Sequence, residues 1–368
     1  MDYRIADFLL RTEGPHSDIA ACGLRGFAPF EVTTDAAAEP TMLLKMDAPI
    51  SDETHPVTKV IHAFDFEQEY AYGEFARYAT GYRFSMKREG RTFLLVKEDG
   101  SNEVLSNLGK YNEVDPSLVR FGIWIMLGLI MAPLGAIAIH SSVIVKDHEA
   151  VLCLGESGTG KSTHTRLWHQ HIEEARLLND DSPIVRIIDG KCIIYGSPWS
   201  GKTNCYVNKC VPARAFMRLS QAPHNKIYRL PALMAIGAIL PSCPPAFAYD
   251  TQLQDAICST VSDIISCTPV YHLECLPDAA AAQLSYSTIY KNRYALATNH
   301  TQYRTLLCCP RYVARGQVRA HCGQRREYVA FFPQRIDHHL ASTPRGRHPQ
   351  IQCGDGRCGT RLRSASHN

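Results

Sequence analysis

Residues 150–162 read AVLCLG-ESGTGKS, and no other stretch limits the possible folds of this chain as strongly. Four apolar residues, Val151 to Leu154, run directly into Gly155-Glu156-Ser157-Gly158-Thr159-Gly160-Lys161-Ser162, a full match to G-x-x-x-x-G-K-[ST]. A continuous apolar run of this length reads as a buried strand, and "KSTHTRLWHQHI" behind the loop reads as a helix. A strand that turns through glycines into a helix N-terminus gathers backbone N–H groups and the positive end of the helix dipole at one point. The chemistry implied is a phosphate cradle of Gly155, Ser157, Gly158, Thr159, Gly160, Lys161, Ser162 and Thr163. Lys161 supplies a mobile charge to the β- and γ-phosphates of ATP, and the Ser162 hydroxyl is offered to Mg²⁺.

The rest of the chain is placed around that unit. Residues 1–114 read as a strand-rich accessory domain. "TMLLKM" and "KVIHAF" are short strands, and "YRFSMKREGRTFLLVKE" is a hairpin turning at Arg88-Glu89-Gly90. From Phe121 to Ile139 there are 19 residues without a charge, near the length of a membrane span. Pro133 and Gly135 interrupt that run, so a buried helix followed by the strand "SSVIV" is expected instead. Asp115 is its N-cap and Pro116 its first helical residue.

Residues 115–292 then read as an α/β unit. "ARLLNDD" is a short strand, "IVRIIDGKCIIYG" is two strands joined at Asp189-Gly190, and "AFMRLS" and "VYHLECL" are further strands. Helices are expected around 230–240 and 251–266 and from "PDAAAAQL" onward.

Four features near the loop can carry chemistry. Asp180 and Asp181 end the strand after the loop helix, where carboxylates can bind Mg²⁺ or take a proton from an attacking hydroxyl. His140 heads the strand "SSVIV"; taken alone it reads first as a satisfied core histidine and second as a site residue. "GSPWSGK" is either a tight turn or a loop that brings Trp199 and Lys202 over phosphate or adenine. Arg166, one turn into the helix, reads as a γ-phosphate contact or a surface residue.

The charge is unevenly distributed. Residues 303–368 contain 12 Arg, no Lys and three acidic residues, a net of +9 against +3 for the whole chain, so residues 1–302 carry −6. The segment 293–368 has little apolar periodicity. It is expected to be disordered or out of register with the rest, since Arg replaces Lys there altogether. A basic arm for nucleic acid and a Cys/His metal site are the competing readings; its irregular Cys spacing favours neither. No nucleic acid partner is expected. The other nine Cys lie mostly in apolar runs, as buried thiols in a reducing cytoplasm would. "MDYRIADFLL" has none of the features of a signal peptide.

Taken together, "IHSSVIV…GESGTGKST…RLLNDDSP" resembles the catalytic domain of the HPr kinase/phosphorylase family. That family shares its P-loop core with ATP-dependent phosphoenolpyruvate carboxykinase. The resemblance covers roughly residues 136–205. It is most specific toward stand-alone HPr-kinase-like proteins with "STHTRLW", "LLNDD" and "YGSPWSGK". It implies an ATP- and Mg²⁺-dependent kinase acting on a hydroxyl of a protein, peptide or small molecule, in a chain that forms homo-oligomers. Lys161 would bind phosphate, Ser162 would ligate Mg²⁺ with Asp181 near the metal, His140 would lie near the transferred group, and Asp180 would be the base. The family's metal-binding Glu has no counterpart in "IYGSPW", and residues 1–112 do not resemble the family's N-terminal domain. A carboxykinase-like enzyme and a non-catalytic ATP-binding module remain alternatives. Truncation near residue 300 is expected to leave thermal stability and solubility at least equal to those of the full chain, as checked by melting and sedimentation.

Overall fold

The structure is a computed structural model that describes residues 1–66, 71–108, 116–201 and 203–291. The expected N-cap Asp115, the cation Lys202 and the tail from 292 onward lie outside the described residues. The described residues fall within one compact unit. They form a mixed α/β fold built on two large sheets.

The first sheet contains β1 (Asp2–Ile5), β2 (Phe8–Glu13), β3 (Glu31–Val32), β4 (Met42–Lys45), β5 (Lys59–Phe66), β6 (Ala71–Tyr78), β7 (Gly81–Arg88), β8 (Arg91–Glu98) and β9 (Glu103–Ser106), in the spatial order β3-β1-β2-β4-β9-β8-β7-β6-β5. The turn expected at Arg88-Glu89-Gly90 joins β7 to β8 in an antiparallel pair. In β7 six successive residues are buried rather than alternate ones, because both faces are covered. Met86 faces helix α1 (Pro116–Met131) near Gly122, and Arg83 on the other face pairs with Asp52 and the carbonyl of His55.

Helix α1 is the apolar run read as a buried helix. A 3-10 turn at Ala132–Leu134 and Gly135, at φ 71°, end it. No helix among the described residues is long and apolar enough to cross a membrane. The helix packs on β7 and β8 at one end of its contacts and on β10 (Ala136–Ala138) at the other. It therefore lies between the two sheets. The largest cluster of buried apolar side chains runs from Tyr3 to Val270 and takes in residues of both sheets.

The second sheet holds β10, β11 (Ser141–Lys146), β12 (Glu149–Leu154), β13 (Arg176–Asp181), β14 (Ile184–Ile188), β15 (Lys191–Tyr195), β16 (Cys210–Gln221), β17 (Lys226–Arg229) and β18 (Val270–Cys275). Its path is β10-β14-β15-β16-β12-β11-β13, with β18 beside β16 and β17 beside β18. Only β12–β16 and β16–β18 are parallel; the other pairs are antiparallel. Helices α2 (Lys161–His171) and α5 (Ala279–Lys291) pack together, as do α3 (Ala232–Ile239) and α4 (Thr251–Cys267). Asp250 caps α4 by accepting from the N–H groups of Gln252 and Leu253. Strand β16 is twice as long as "AFMRLS" implied. Its first part pairs with β15 and its second with β12 and β18.

Phe27, fully buried in the 3-10 segment Arg25–Phe30, packs edge-on against Tyr3 of the first sheet and Trp199 behind the second. Phe27→Ala is expected to cost about 4 kcal/mol. Both halves should be lost in one urea transition, followed by tryptophan fluorescence and far-ultraviolet dichroism. Two separate transitions would mean that the sheets unfold independently.

Candidate functional site

The site is assembled where β12 ends. Gly158 and Gly160 adopt φ values of +82° and +102°, and a side chain on either would project into open space with nothing within 4 Å. The loop thus leaves a backbone-lined hollow in front of the N-terminus of α2, the geometry that receives a phosphate. The Thr159 hydroxyl ties the loop together by donating to the carbonyl of Glu156 at 2.8 Å.

Lys161 is the first residue of α2 and is only 8% exposed. Its Nζ donates to the carbonyls of Gly155 at 2.8 Å and Glu156 at 3.1 Å, so the ammonium lies over the loop. Burial lowers its proton affinity below that of a free lysine, and the carboxylates of Asp181, Glu156 and Asp180 oppose that shift.

Strand β11 sets the position of the two aspartates. It pairs with β12 on one side and β13 on the other, so Ser142 lies opposite both Cys153 and Asp180, and Ser141 opposite both Leu154 and Asp181. Two strand spacings, roughly 10 Å, separate the backbone of β12 from that of the aspartates. Helix α2 bridges that gap over the top of β11. The Ser162 hydroxyl donates to Oδ1 of Asp180 at 2.8 Å, and one turn later Thr165 and Ser142 hydrogen-bond through their hydroxyls at 2.8 Å.

Asp180 is buried. Asp181 retains 33% side-chain exposure, and its Oδ1 lies 3.2 Å from Nδ1 of His140, which is 47% exposed. His140 is therefore not a core histidine. Its own N–H donates to the carbonyl of Ser242 in the gap between β10 and β11.

The aspartates are braced from behind by Asn179, a residue that the motif reading passed over. Asn179 is fully buried. Its amide donates to Ser197 Oγ at 3.2 Å and to the carbonyl of Trp199 at 3.1 Å, while its Oδ1 accepts from the N–H of Ser182. The loop it holds returns to the aspartates: Asp181 bridges Ser200 in antiparallel fashion, and the N–H of Gly201 donates to the carbonyl of Asp180 at 2.6 Å. The one available signal was an amide in a buried strand position, where strands disfavour it.

Trp199 does not take the second of the two parts open to it, as a cover for phosphate or adenine. Its ring is buried and its indole N–H donates to the carbonyl of Arg120 at 3.0 Å, so it faces α1 rather than a nucleotide. Arg166 is exposed on α2. Arg218, on the parallel strand β16, donates to Glu156 of the loop at 2.9 Å, and Gln221 donates to the carbonyl of Gly158 at 3.3 Å. Neither was visible in the sequence, because 62 and 63 residues separate the partners and only the β12–β16 pairing unites them.

Among the described residues no group of three or more His, Cys, Asp or Glu side chains is arranged to hold a metal. The adjacent oxygens of Ser162 and Asp180 fit a hard cation of another kind, one that retains waters and takes its remaining ligands from substrate phosphates, as Mg²⁺ does.

No family profile and no curated protein matches the sequence. A solved structure, the HPr(Ser) kinase/phosphatase from Coxiella burnetii, is similar to this chain over 42% of its length and 94% of the other's, at 14% identity and a TM-score of 0.25. The chemistry of the site is carried by the side chains described above and not by that likeness.

Asn179→Ala leaves the Ser182 N–H buried without its partner and removes one of the two donors to the Trp199 carbonyl, the other being the Ser197 hydroxyl. The expected loss is about 3 kcal/mol of unfolding free energy, measured by urea titration. Asn179→Asp should recover the bond from Ser182 alone.

Proposed function

We propose that this chain is a Mg²⁺- and ATP-dependent phosphotransferase that moves the γ-phosphoryl group to a hydroxyl, with a serine-bearing protein or peptide as the acceptor class. The observation that carries the reading is the convergence of Lys161, Ser162, Asp180 and the Asp181–His140 pair at the end of one strand and the start of one helix. A glycine loop alone accounts for anion binding; the carboxylates beside it supply the rest of a transfer reaction.

The loop N–H groups and Lys161 would hold the β- and γ-phosphates in line with the acceptor, and positioning of this sort is most of what phosphoryl transfer requires. Mg²⁺, when bound through Ser162 and Asp180, neutralises charge on the phosphates. The division of labour between the aspartates follows their exposure and contacts. Asp180 is buried and already paired with the Ser162 hydroxyl, so it serves the metal side. Asp181 is open to solvent and meets His140, so it can reach an arriving hydroxyl. This is the reverse of the division that the family resemblance implied. As the new P–O bond forms and the bond to the β-phosphate oxygen breaks, the hydroxyl proton passes to Asp181 and ADP leaves. His140 holds that carboxylate toward the acceptor.

Labelled ATP supplied with cell extract from the source organism tests the reading. Asp181→Asn is expected to lower transfer about 10²–10⁴-fold while nucleotide affinity stays near wild type. Asp180→Asn should instead abolish the tightening of nucleotide binding by Mg²⁺, seen by calorimetry. Binding without transfer in the wild type would identify a regulatory module. ATP consumption that depends on oxaloacetate and releases CO₂ would identify a carboxykinase.

A further inference from the structure

On the side of the glycine loop away from the aspartates lies a cleft of about 580 Å³. The sheet order explains its place: β11 and β13, with the carboxylates, flank β12 on one side, and β16 and β18 flank it on the other. The loop residues Gly158 and Gly160 form one end of the cleft, and Thr163 and Leu167, one turn apart on α2, form a wall. The segments leaving β16 and β18 form the opposite wall, with Pro223, Cys275, Leu276 and Pro277. A molecule with its phosphates in the loop and its γ-phosphate toward Asp180 has its other end here.

That wall has few groups with which to read a base. Proline has no N–H, which removes Pro223 and Pro277 as donors. The N–H of Ala222 is spent on the carbonyl of Cys275, and that of Leu276 on Oδ1 of Asn225. The Gln221 amide turns to the loop carbonyl of Gly158, and His164 is held by Ser285 and Trp168. The contacts that remain are mostly apolar, and Leu276, 39% exposed, is one of the few large apolar side chains on the surface among the described residues.

From this we infer that the cleft is the seat of the nucleoside base and that it grips the base by shape and apolar contact without reading its hydrogen-bonding edge, so that adenine and guanine nucleotides bind alike. The inference rests on the reading of the loop as a nucleoside triphosphate site. Apolar pockets discriminate weakly between ligands of similar size, whereas sites that hydrogen-bond a ligand reject its analogue by about 10⁴–10⁵-fold. A base lying against Leu276 and Pro277 also covers the Cys275 thiol.

The test uses the full chain with Mg²⁺ and compares ATP, GTP and inorganic tripolyphosphate by calorimetry. The same three are then used to protect Cys275 from N-ethylmaleimide, read peptide by peptide in a mass spectrometer, with the exposed Cys210 as internal reference. ATP and GTP are expected to bind within about tenfold of each other. Both should slow Cys275 labelling at least about tenfold relative to Cys210, and tripolyphosphate should not, because it fills only the loop. A preference for one base beyond tenfold, or Cys275 labelling unchanged at saturating ATP, overturns the inference and leaves the loop assignment standing. Failure of ATP, GTP and tripolyphosphate alike to bind removes the loop assignment itself.

Discussion

The hydrogen bond from Ser162 to Asp180 is the contact on which the rest of the site depends. It joins the first turn of a helix to a strand two places away in the sheet, and it exists because β11 is inserted between β12 and β13. A β12–β13 pair without β11 would bring the aspartates directly beside the glycine loop, with no space between them for a cation and phosphate oxygens. With β11 in place, α2 must cross over it, and the Thr165–Ser142 bond fixes the crossing one turn into the helix. Two adjacent hydroxyl contacts on one face of α2 set both its rotation and its height above the sheet. Serine and threonine are weak helix formers, so their presence at the start of α2 reflects these contacts rather than propensity.

What could be read from the sequence follows from how local each feature is. The glycine loop is contiguous: its conformation, its helix and its strand are specified within about a dozen residues, and the structure has all three where expected. The Asp189-Gly190 turn belongs to the same class, with both residues at positive φ. The aspartates were legible as a pair at the end of a strand. Their separate surroundings were not, since Asp180 is buried by α2 and Asp181 is left open near His140 through pairings 18 and 41 residues long in the chain. Trp199 illustrates the opposite failure. A tryptophan between glycines looks available to a ligand, and only the packing of Phe27 and the carbonyl of Arg120 reveal it as buried. The burial of both faces of β7 is non-local in the same way, because its second face is covered by a loop bearing Asp52.

The N-terminal residues are part of the support for the site. Phe27 presses on Trp199, the Trp199 carbonyl is held by Asn179, and the next residue, Ser200, both bridges Asp181 and accepts from Arg120 of α1. Asp7, in the tight turn between β1 and β2, accepts from Arg186 and from the hydroxyl of Tyr195 on the second sheet. Each contact is modest in isolation, about 1 kcal/mol for a typical hydrogen bond. Together they give the aspartate strand a rigid backing, as the proposed transfer reaction would require of its carboxylates. A loop such as 196–201, bounded by glycines and outside any strand or helix, takes its conformation largely from what surrounds it.

The loop itself is held in readiness by opposed charges. Glu156 is exposed and paired with Arg218, while Lys161 is drawn down onto two carbonyls. An ammonium has three donors, and two are committed to the loop, which leaves one for a ligand. Burial pushes Lys161 toward losing its proton, and on the proposed reading an arriving phosphate would restore the preference for the charged form. A fully solvated lysine would gain little from such an anion, because water already satisfies it. On that reading the partial burial of Lys161 would convert the desolvation it suffers on folding into a stronger attraction for phosphate. The same low-dielectric setting keeps that attraction local, since Arg218, being more exposed and already paired with Glu156, competes for it only weakly.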